Sequence, residues 1–135
     1  RFVDETPPTV PDGVVYHRVG YESRMSQIYA ASDLLVVRAG ASTVAEIVTV
    51  GIAAVIVPWE VSADGHQKLN AQWLGDADAA CVVSESQCTD GSAVKAIVDI
   101  LLDSDARNRL ATNARQMGEA HRSSRLVDVI RNAAL

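Results

Sequence analysis

The sequence predicts an α/β protein, a parallel sheet covered by helices on both faces. Three observations carry that prediction. Short apolar runs at Leu34–Val37, Ala53–Val57 and Ala79–Val83 have the length of buried strands. Val44, Ile47, Val48 and Gly51 fall at i, i+3, i+4 and i+7, the stripe of a helix packed on a sheet. Strands that alternate with helical segments imply right-handed crossovers, which lay the strands parallel and put helices over the sheet.

At 135 residues the chain has the length of one domain, enough to bury about two-thirds of its unfolded surface. A formal net charge of −5 without a Lys/Arg cluster argues against nucleic acid or an anionic lipid surface as partner. Cys81 and Cys88 have neither C-x-x-C nor Cys/His spacing, so neither a disulfide nor a metal site is expected. No apolar run approaches the about 20 residues that span a bilayer, and a cytoplasmic location is expected. The chain starts Arg1-Phe2-Val3 without an initiator Met, as expected of a piece of a longer protein.

Residues 1–13 read as loop or linker, because Pro7, Pro8, Pro11 and the Asp12-Gly13 pair deny both ladder and helix. Val14 to Val19 alternate weakly and are expected to form a strand. Ser23 is the expected N-cap of a short helix with Met25, Ile28 and Tyr29 on its apolar face, ending near Ser32-Asp33. The Leu34–Val37 strand, expected to be buried on both faces, leads into a helix over Ser42–Val50 that Gly51 stops. Ala53–Val57 is the next strand, closed by Pro58. A polar loop over Glu60–Gly65 precedes a helix over His66–Leu74 with Leu69 and Trp73 at i, i+4. Ala79–Val83 completes the strands, with Cys88 in a polar loop after it. Helices are expected over Gly91–Leu102, Asp105–Gly118 and Ser124–Ala134. The whole is one domain, with sheet and site loops over 14–86 and helices over 87–135.

In such sheets ligands bind beyond the carboxyl ends of the strands, where the loops Gly20–Glu22, Ala39–Thr43 and Trp59–Gln67 are expected to meet. Gly40, Ala41, Ser42 and Thr43 form a turn into a helix whose first N–H groups lack intrahelical partners, a natural anion site. Gly40 either bends the chain sharply or lets a ligand approach closely. Thr43 and Glu46 fit a capping box; alternatively, Glu46 presents a carboxylate able to hold the vicinal hydroxyls of a ribose. Arg38 is either a structural charge pinned by a carboxylate or loop carbonyls, or a phosphate contact. His66, Gln67 and Asn70 open the next helix, where neutral polar side chains suit sugar hydroxyls, and Asp64 is an obvious cap for it. A general-base role for His66 lacks any accompanying Ser or Cys nucleophile pattern. His17 and His121 read as surface or packing residues.

The run from Ala31 to Glu46, then Gly51, Val57-Pro58 and Asp64-Gly65-His66-Gln67-Lys68-Leu69-Asn70-Ala71, resembles the carboxy-terminal domain of glycosyltransferase family 28. This family includes the UDP-N-acetylglucosamine transferases that convert lipid I to lipid II in peptidoglycan synthesis. The resemblance is close over Tyr16 to Val83 and looser beyond. It implies a three-layer Rossmann-like sheet, the carboxy-terminal half of a GT-B glycosyltransferase, here without the first strands of that half. It also implies that Glu46 holds the ribose, that Gly40 to Thr43 face the diphosphate and sugar, and that His66 and Gln67 contact N-acetylglucosamine. Backbone near Tyr21 and Glu22 would meet uracil.

Two positions depart from the family pattern, His66 where some members have Gln, and Glu22 where an apolar residue is common. The resemblance further implies UDP-N-acetylglucosamine as donor substrate, no cofactor, and a lipid-linked acceptor bound through an amino-terminal half that also carries the acceptor-side base. No catalytic residue is assigned to this chain, and alone it is expected to be inactive. The full protein would sit on the cytoplasmic face of the inner membrane. Two alternatives stay open: the donor-binding chain of a related two-chain transferase, and a stand-alone nucleotide-binding module.

Overall fold

The computed structural model describes residues 8–61 and 65–133, in two compact units split after Ala31. In the first unit, residues 8–24 hold no regular element; a turn closed by the Val14 N–H on the Pro11 carbonyl (3.1 Å) brings Gly13 to φ 84°. Helix α1 spans Met25–Ala31. Its first carbonyl is that of Arg24, which accepts from Gln27 and Ile28, so Arg24 and not Ser23 stands at the N-cap.

The second unit runs β1 (Leu35–Val37), α2 (Ala41–Val50), β2 (Ala54–Ile56), α3 (His66–Asp76) and β3 (Cys81–Val82). It continues through α4 (Glu85–Asp90), α5 (Ser92–Leu102), α6 (Ser104–Met117), α7 (Glu119–Arg122) and α8 (Arg125–Ala133). The strands are parallel in the order β1-β2-β3, with Val36 opposite Val55 and Val55 opposite Cys81. Two successive right-handed crossovers in one direction put α2 and α3 on the same face. The other face, carrying Val55, Cys81 and Val83, packs against Ala93, Ala96, Ile97 and Ile100 of α5. Helices on both faces of a parallel sheet make the expected three-layer Rossmann-like architecture.

Helix α2 buries Val44, Ile47 and Val48, the predicted stripe, and Gly51 ends it in the left-handed conformation (φ 74°) with its N–H on the Ile47 carbonyl at 2.8 Å. A layer of contacts then locks its carboxyl end. Arg122 Nη1 donates to the Val48 and Thr49 carbonyls, each at 2.9 Å, and His121 Nδ1 lies 3.1 Å from Thr49 Oγ1. A guanidinium is well suited to the unpaired carbonyls at the negative end of a helix.

Several expectations are corrected. Val14–Val19 forms no strand, since the sheet contains three strands and none pairs with this segment. An isolated strand leaves its N–H and C=O groups without ladder partners, so weak alternation alone does not make one. Strand β1 is not buried on both faces. It is an edge strand, and Val36 is 50% exposed; only β2, flanked on both sides, is wholly buried. On α3 the buried residues are Ala71 and Leu74, while Leu69 and Trp73 face outward. Small residues decide this packing: a Cβ on Gly75 would lie 3.1 Å from Val82 Cγ2, so the helix approaches β3 along its Ala71–Gly75 side, where a tryptophan would not fit.

Cys88 lies in helix α4 and not in a loop. Ser84 caps α4 in a full capping box with Gln87, a Ser-x-x-Gln pattern visible in the sequence but not used there. The carboxyl-terminal helical region is divided by the short α7, and Ala134, the expected last helical residue, lies outside the described residues.

Candidate functional site

The carboxyl ends of β1 and β2 open onto two helix starts. Helix α2 begins at Ala41, with Gly40 as N-cap in ordinary extended conformation (φ −64°, ψ 147°) and no side chain capping it. The Val44 N–H reaches the Gly40 carbonyl at 3.0 Å, so the amides of Ala41, Ser42 and Thr43 precede the first intrahelical bond. Gly40 therefore needs no glycine-only backbone angle. A Cβ here would meet only Thr43 Oγ1, at 3.7 Å.

This start overturns the capping box at Thr43. The N-cap stands three residues earlier, at Gly40, so Thr43 lies in the first turn and Glu46 in the second, out of reach of the N-cap amide. Glu46 is exposed, and it lies i+4 from Ser42 and i+3 from Thr43, on the same side of the helix as the open amides. The separation along the axis is about 4.5–6 Å.

Helix α3 starts after Gly65, whose φ of 66° is the left-handed conformation glycine tolerates. Among the described residues no side chain caps it, and Asp64, the expected cap, lies outside them. Asn70 Nδ2 donates to the Ala39 carbonyl at 3.0 Å, tying α3 to the residue before Gly40. Gln67 Oε1 accepts the backbone N–H of Trp59 at 3.0 Å, tying α3 to the loop after β2. His66 is exposed at the first position of α3.

Arg38 takes the structural role anticipated for it. Its Nη1 lies 2.6 Å from Glu85 Oε1 and donates to the Val57 and Pro58 carbonyls at 3.3 and 3.4 Å. Glu60 Oε1 accepts the Glu85 N–H at 3.3 Å. The loops after all three strands are thereby joined, by a network whose members Glu60 and Glu85 the sequence reading did not single out.

The Asn70–Ala39 bond thus joins α3, which carries His66, Gln67 and Asn70, to the start of α2, which carries Gly40, Ala41, Ser42, Thr43 and, a turn further on, Glu46. Tyr21 and Glu22 belong to the first unit; there Tyr21 is exposed and Glu22 Oε1 accepts the Arg24 N–H at 2.8 Å. A groove of ≈ 670 Å³ lies on the other flank of α3, lined by residues including Pro58, Lys68, Gln72 and Val82, and none of the candidate site residues lines it. The candidate site is an open surface. Among the described residues no group of three or more His, Cys, Asp or Glu stands where it would hold a metal, and no helix is long and apolar enough to cross a membrane.

A parallel sheet with helices on both faces, and two helix starts joined beyond its carboxyl ends, defines a Rossmann-like class of domain. The chain belongs to the family described as Glycosyltransferase family 28 C-terminal domain, which it matches over residues 5–128. It is similar to proteins named UDP-N-acetylglucosamine--N-acetylmuramyl-(pentapeptide) pyrophosphoryl-undecaprenol N-acetylglucosamine transferase. The one from Desulfotalea psychrophila is 34% identical over 79% of this chain and 29% of its own length. That from Clavibacter sepedonicus is 36% identical over 87% and 32%. Among solved structures, the crystal structure of Acinetobacter baumannii MurG matches with a TM-score of 0.66 and 35% identity, covering 73% of this chain and 28% of that one. The chain spans less than a third of the length of these relatives.

Proposed function

We propose that this chain is the UDP-N-acetylglucosamine-binding half of an inverting glycosyltransferase that converts lipid I to lipid II. The observation that carries the reading is the Asn70–Ala39 bond, which holds the start of α3 beside the start of α2. A nucleotide sugar matches that layout. Its diphosphate meets the amides of Ala41 to Thr43, its ribose hydroxyls meet Glu46 one turn further on, and its hexose extends towards His66 and Gln67. The family resemblance, apart from this layout, further implies a uracil contact from the backbone near Tyr21 and Glu22 of the first unit. The family, and the names of the relatives, support the same donor.

The chemistry is a single displacement. The acceptor hydroxyl oxygen bonds to the anomeric carbon from the face opposite UDP as the bond from that carbon to the β-phosphate oxygen breaks. Charge develops on the departing diphosphate, where the fixed amides of α2 lower the barrier without having to reorganise. The hydroxyl proton passes to a base on the amino-terminal half, which also binds the lipid-linked acceptor and meets the cytoplasmic face of the membrane. No residue of this chain is assigned that step. The whole chain acts as one donor-binding domain, and no metal or other cofactor is required of it.

One wall of a cleft binds its ligand weakly and does not hold donor and acceptor together, so the isolated chain is expected to be inactive. Mixing it with the amino-terminal half of a family 28 transferase tests the proposal. Restored transfer of N-acetylglucosamine to lipid I is the expected result. Binding of UDP without restored transfer points to a stand-alone nucleotide-binding module, and transfer by this chain alone overturns its reading as a half.

A further inference from the structure

Trp59 stands just beyond the central strand β2, and its side chain is half exposed (50%). Its backbone is anchored on both sides. The Trp59 N–H donates to Gln67 Oε1 at 3.0 Å, and the carbonyl of the preceding Pro58, itself buried, accepts from Arg38 Nη1 at 3.4 Å. The next residue, Glu60, is held through its carboxylate by the Glu85 N–H at 3.3 Å. Three successive residues are fixed by groups from three other segments, while the largest side chain among them stays at the surface.

That indole is half exposed, and the backbone N–H of the residue that carries it is held by the residue expected to face the sugar. A pyranose presents a face of C–H groups as well as its hydroxyls, and a rigid aromatic ring supplies a complementary apolar surface at low entropic cost. We infer that Trp59 is the stacking platform for the hexose ring of the donor, and that Gln67 acts on the sugar chiefly as the positioning residue that holds this platform. The Gln67 carbonyl oxygen is already committed to the Trp59 amide, which leaves its NH₂ group for any direct contact. This assignment rests on the reading of the chain as a UDP-sugar-binding half.

The sequence has two tryptophans, Trp59 and Trp73, and Trp73 lies on the outward face of α3. In the Trp73→Phe variant, fluorescence reports on Trp59 alone. The variant is titrated with UDP and separately with UDP-N-acetylglucosamine at millimolar concentrations, with binding measured independently by calorimetry. Both ligands are expected to bind, and only the sugar nucleotide to change Trp59 emission. Trp59→Ala should weaken the sugar nucleotide about five- to tenfold relative to UDP, and Trp59→Phe should restore most of the difference. Gln67→Ala should shift the emission of unliganded Trp59 and narrow the same affinity ratio.

If both ligands bind but Trp59 emission ignores the sugar, or Trp59→Ala weakens both ligands equally, the platform is wrong and UDP binding stands. If Gln67→Ala narrows the ratio with Trp59 emission unmoved, the positioning role is wrong. Failure of both ligands to bind removes the reading of the chain as a donor-binding half, and the platform with it.

Discussion

The side-chain nitrogen of Asn70 reaches the carbonyl of Ala39 at 3.0 Å, joining positions 31 residues apart at the point where the two helix starts meet. Ala39 is fully buried, so this bond satisfies an acceptor that water reaches poorly. Asn70→Ala should cost about 1–2 kcal/mol of stability, the range for leaving such a group without its partner. It should also weaken UDP and UDP-N-acetylglucosamine by similar factors, because it loosens the shared anion site. Urea denaturation and calorimetry give both numbers. A loss confined to the sugar nucleotide would show instead that Asn70 touches the sugar.

Glu46 separates binding from folding. With Gly40 as N-cap, Glu46 lies beyond the first turn of α2, and an exposed surface carboxylate contributes at most about 1 kcal/mol to stability through ion pairing. Glu46→Ala should therefore leave the melting temperature nearly unchanged while weakening UDP by about 2–3 kcal/mol, the range for charge-assisted hydrogen bonds to the ribose. A lowered melting temperature with unchanged UDP affinity would remove the ribose assignment.

What the sequence reveals here depends on how local the cause is. Strand β2 and the stripe of α2 are legible because burial on both faces, or along one face, writes a hydrophobic pattern into adjacent residues. The family is legible because the Ala31–Glu46 and Asp64–Ala71 runs keep their spacing, and the match over residues 5–128 agrees. The same capping pattern, however, is right at Ser84 and wrong at Thr43. At Ser84 strand and helix are separated by the cap itself; at Thr43 the helix has already begun at Ala41, after a buried Ala39 held from α3. Contacts such as Asn70 to Ala39 and Gln67 to Trp59 join residues whose identities carry no trace of each other. The outward position of Trp73 has the same origin, since the shape of β3 selects the small side of α3.

The two thiols should differ in reactivity. Burial against the α5 face of the sheet pushes the Cys81 thiol above its ordinary pKa, whereas Cys88 is exposed on α4. A thiol reagent at neutral pH should label Cys88 quickly and Cys81 slowly, in two resolved phases, because the thiolate is the reactive form. The shift also sets a sign for stability. The unfolded chain ionises Cys81 first, so its contribution is intact below about 8.5, the ordinary thiol pKa, and is lost as pH rises through the higher folded value. Cys81→Ala should flatten this alkaline decline in a urea titration. Equal labelling rates in the native protein would contradict the burial argument.

Gly40 and Gly118 offer a matched pair that divides fold from site. Gly118 is buried with an ordinary φ of −82°, but a Cβ there would lie 1.9 Å from the Val48 carbonyl oxygen and 2.4 Å from its carbon. That carbonyl cannot retreat cheaply, since Val48 is fully buried and Arg122 holds the oxygen at 2.9 Å. Gly118→Ala should destabilise by about 3 kcal/mol, the upper range for overpacking, with UDP affinity of the remaining folded protein little changed. Gly40→Ala meets no such obstacle, only Thr43 Oγ1 at 3.7 Å, and should cost about 1 kcal/mol as an N-cap change. Its methyl group would stand where phosphate oxygens approach the open amides of α2, so UDP affinity should fall by about tenfold, or about 1.4 kcal/mol. Both variants are measured by urea denaturation and UDP calorimetry. If Gly40→Ala binds UDP as tightly as the parent chain, the start of α2 is not where the diphosphate sits.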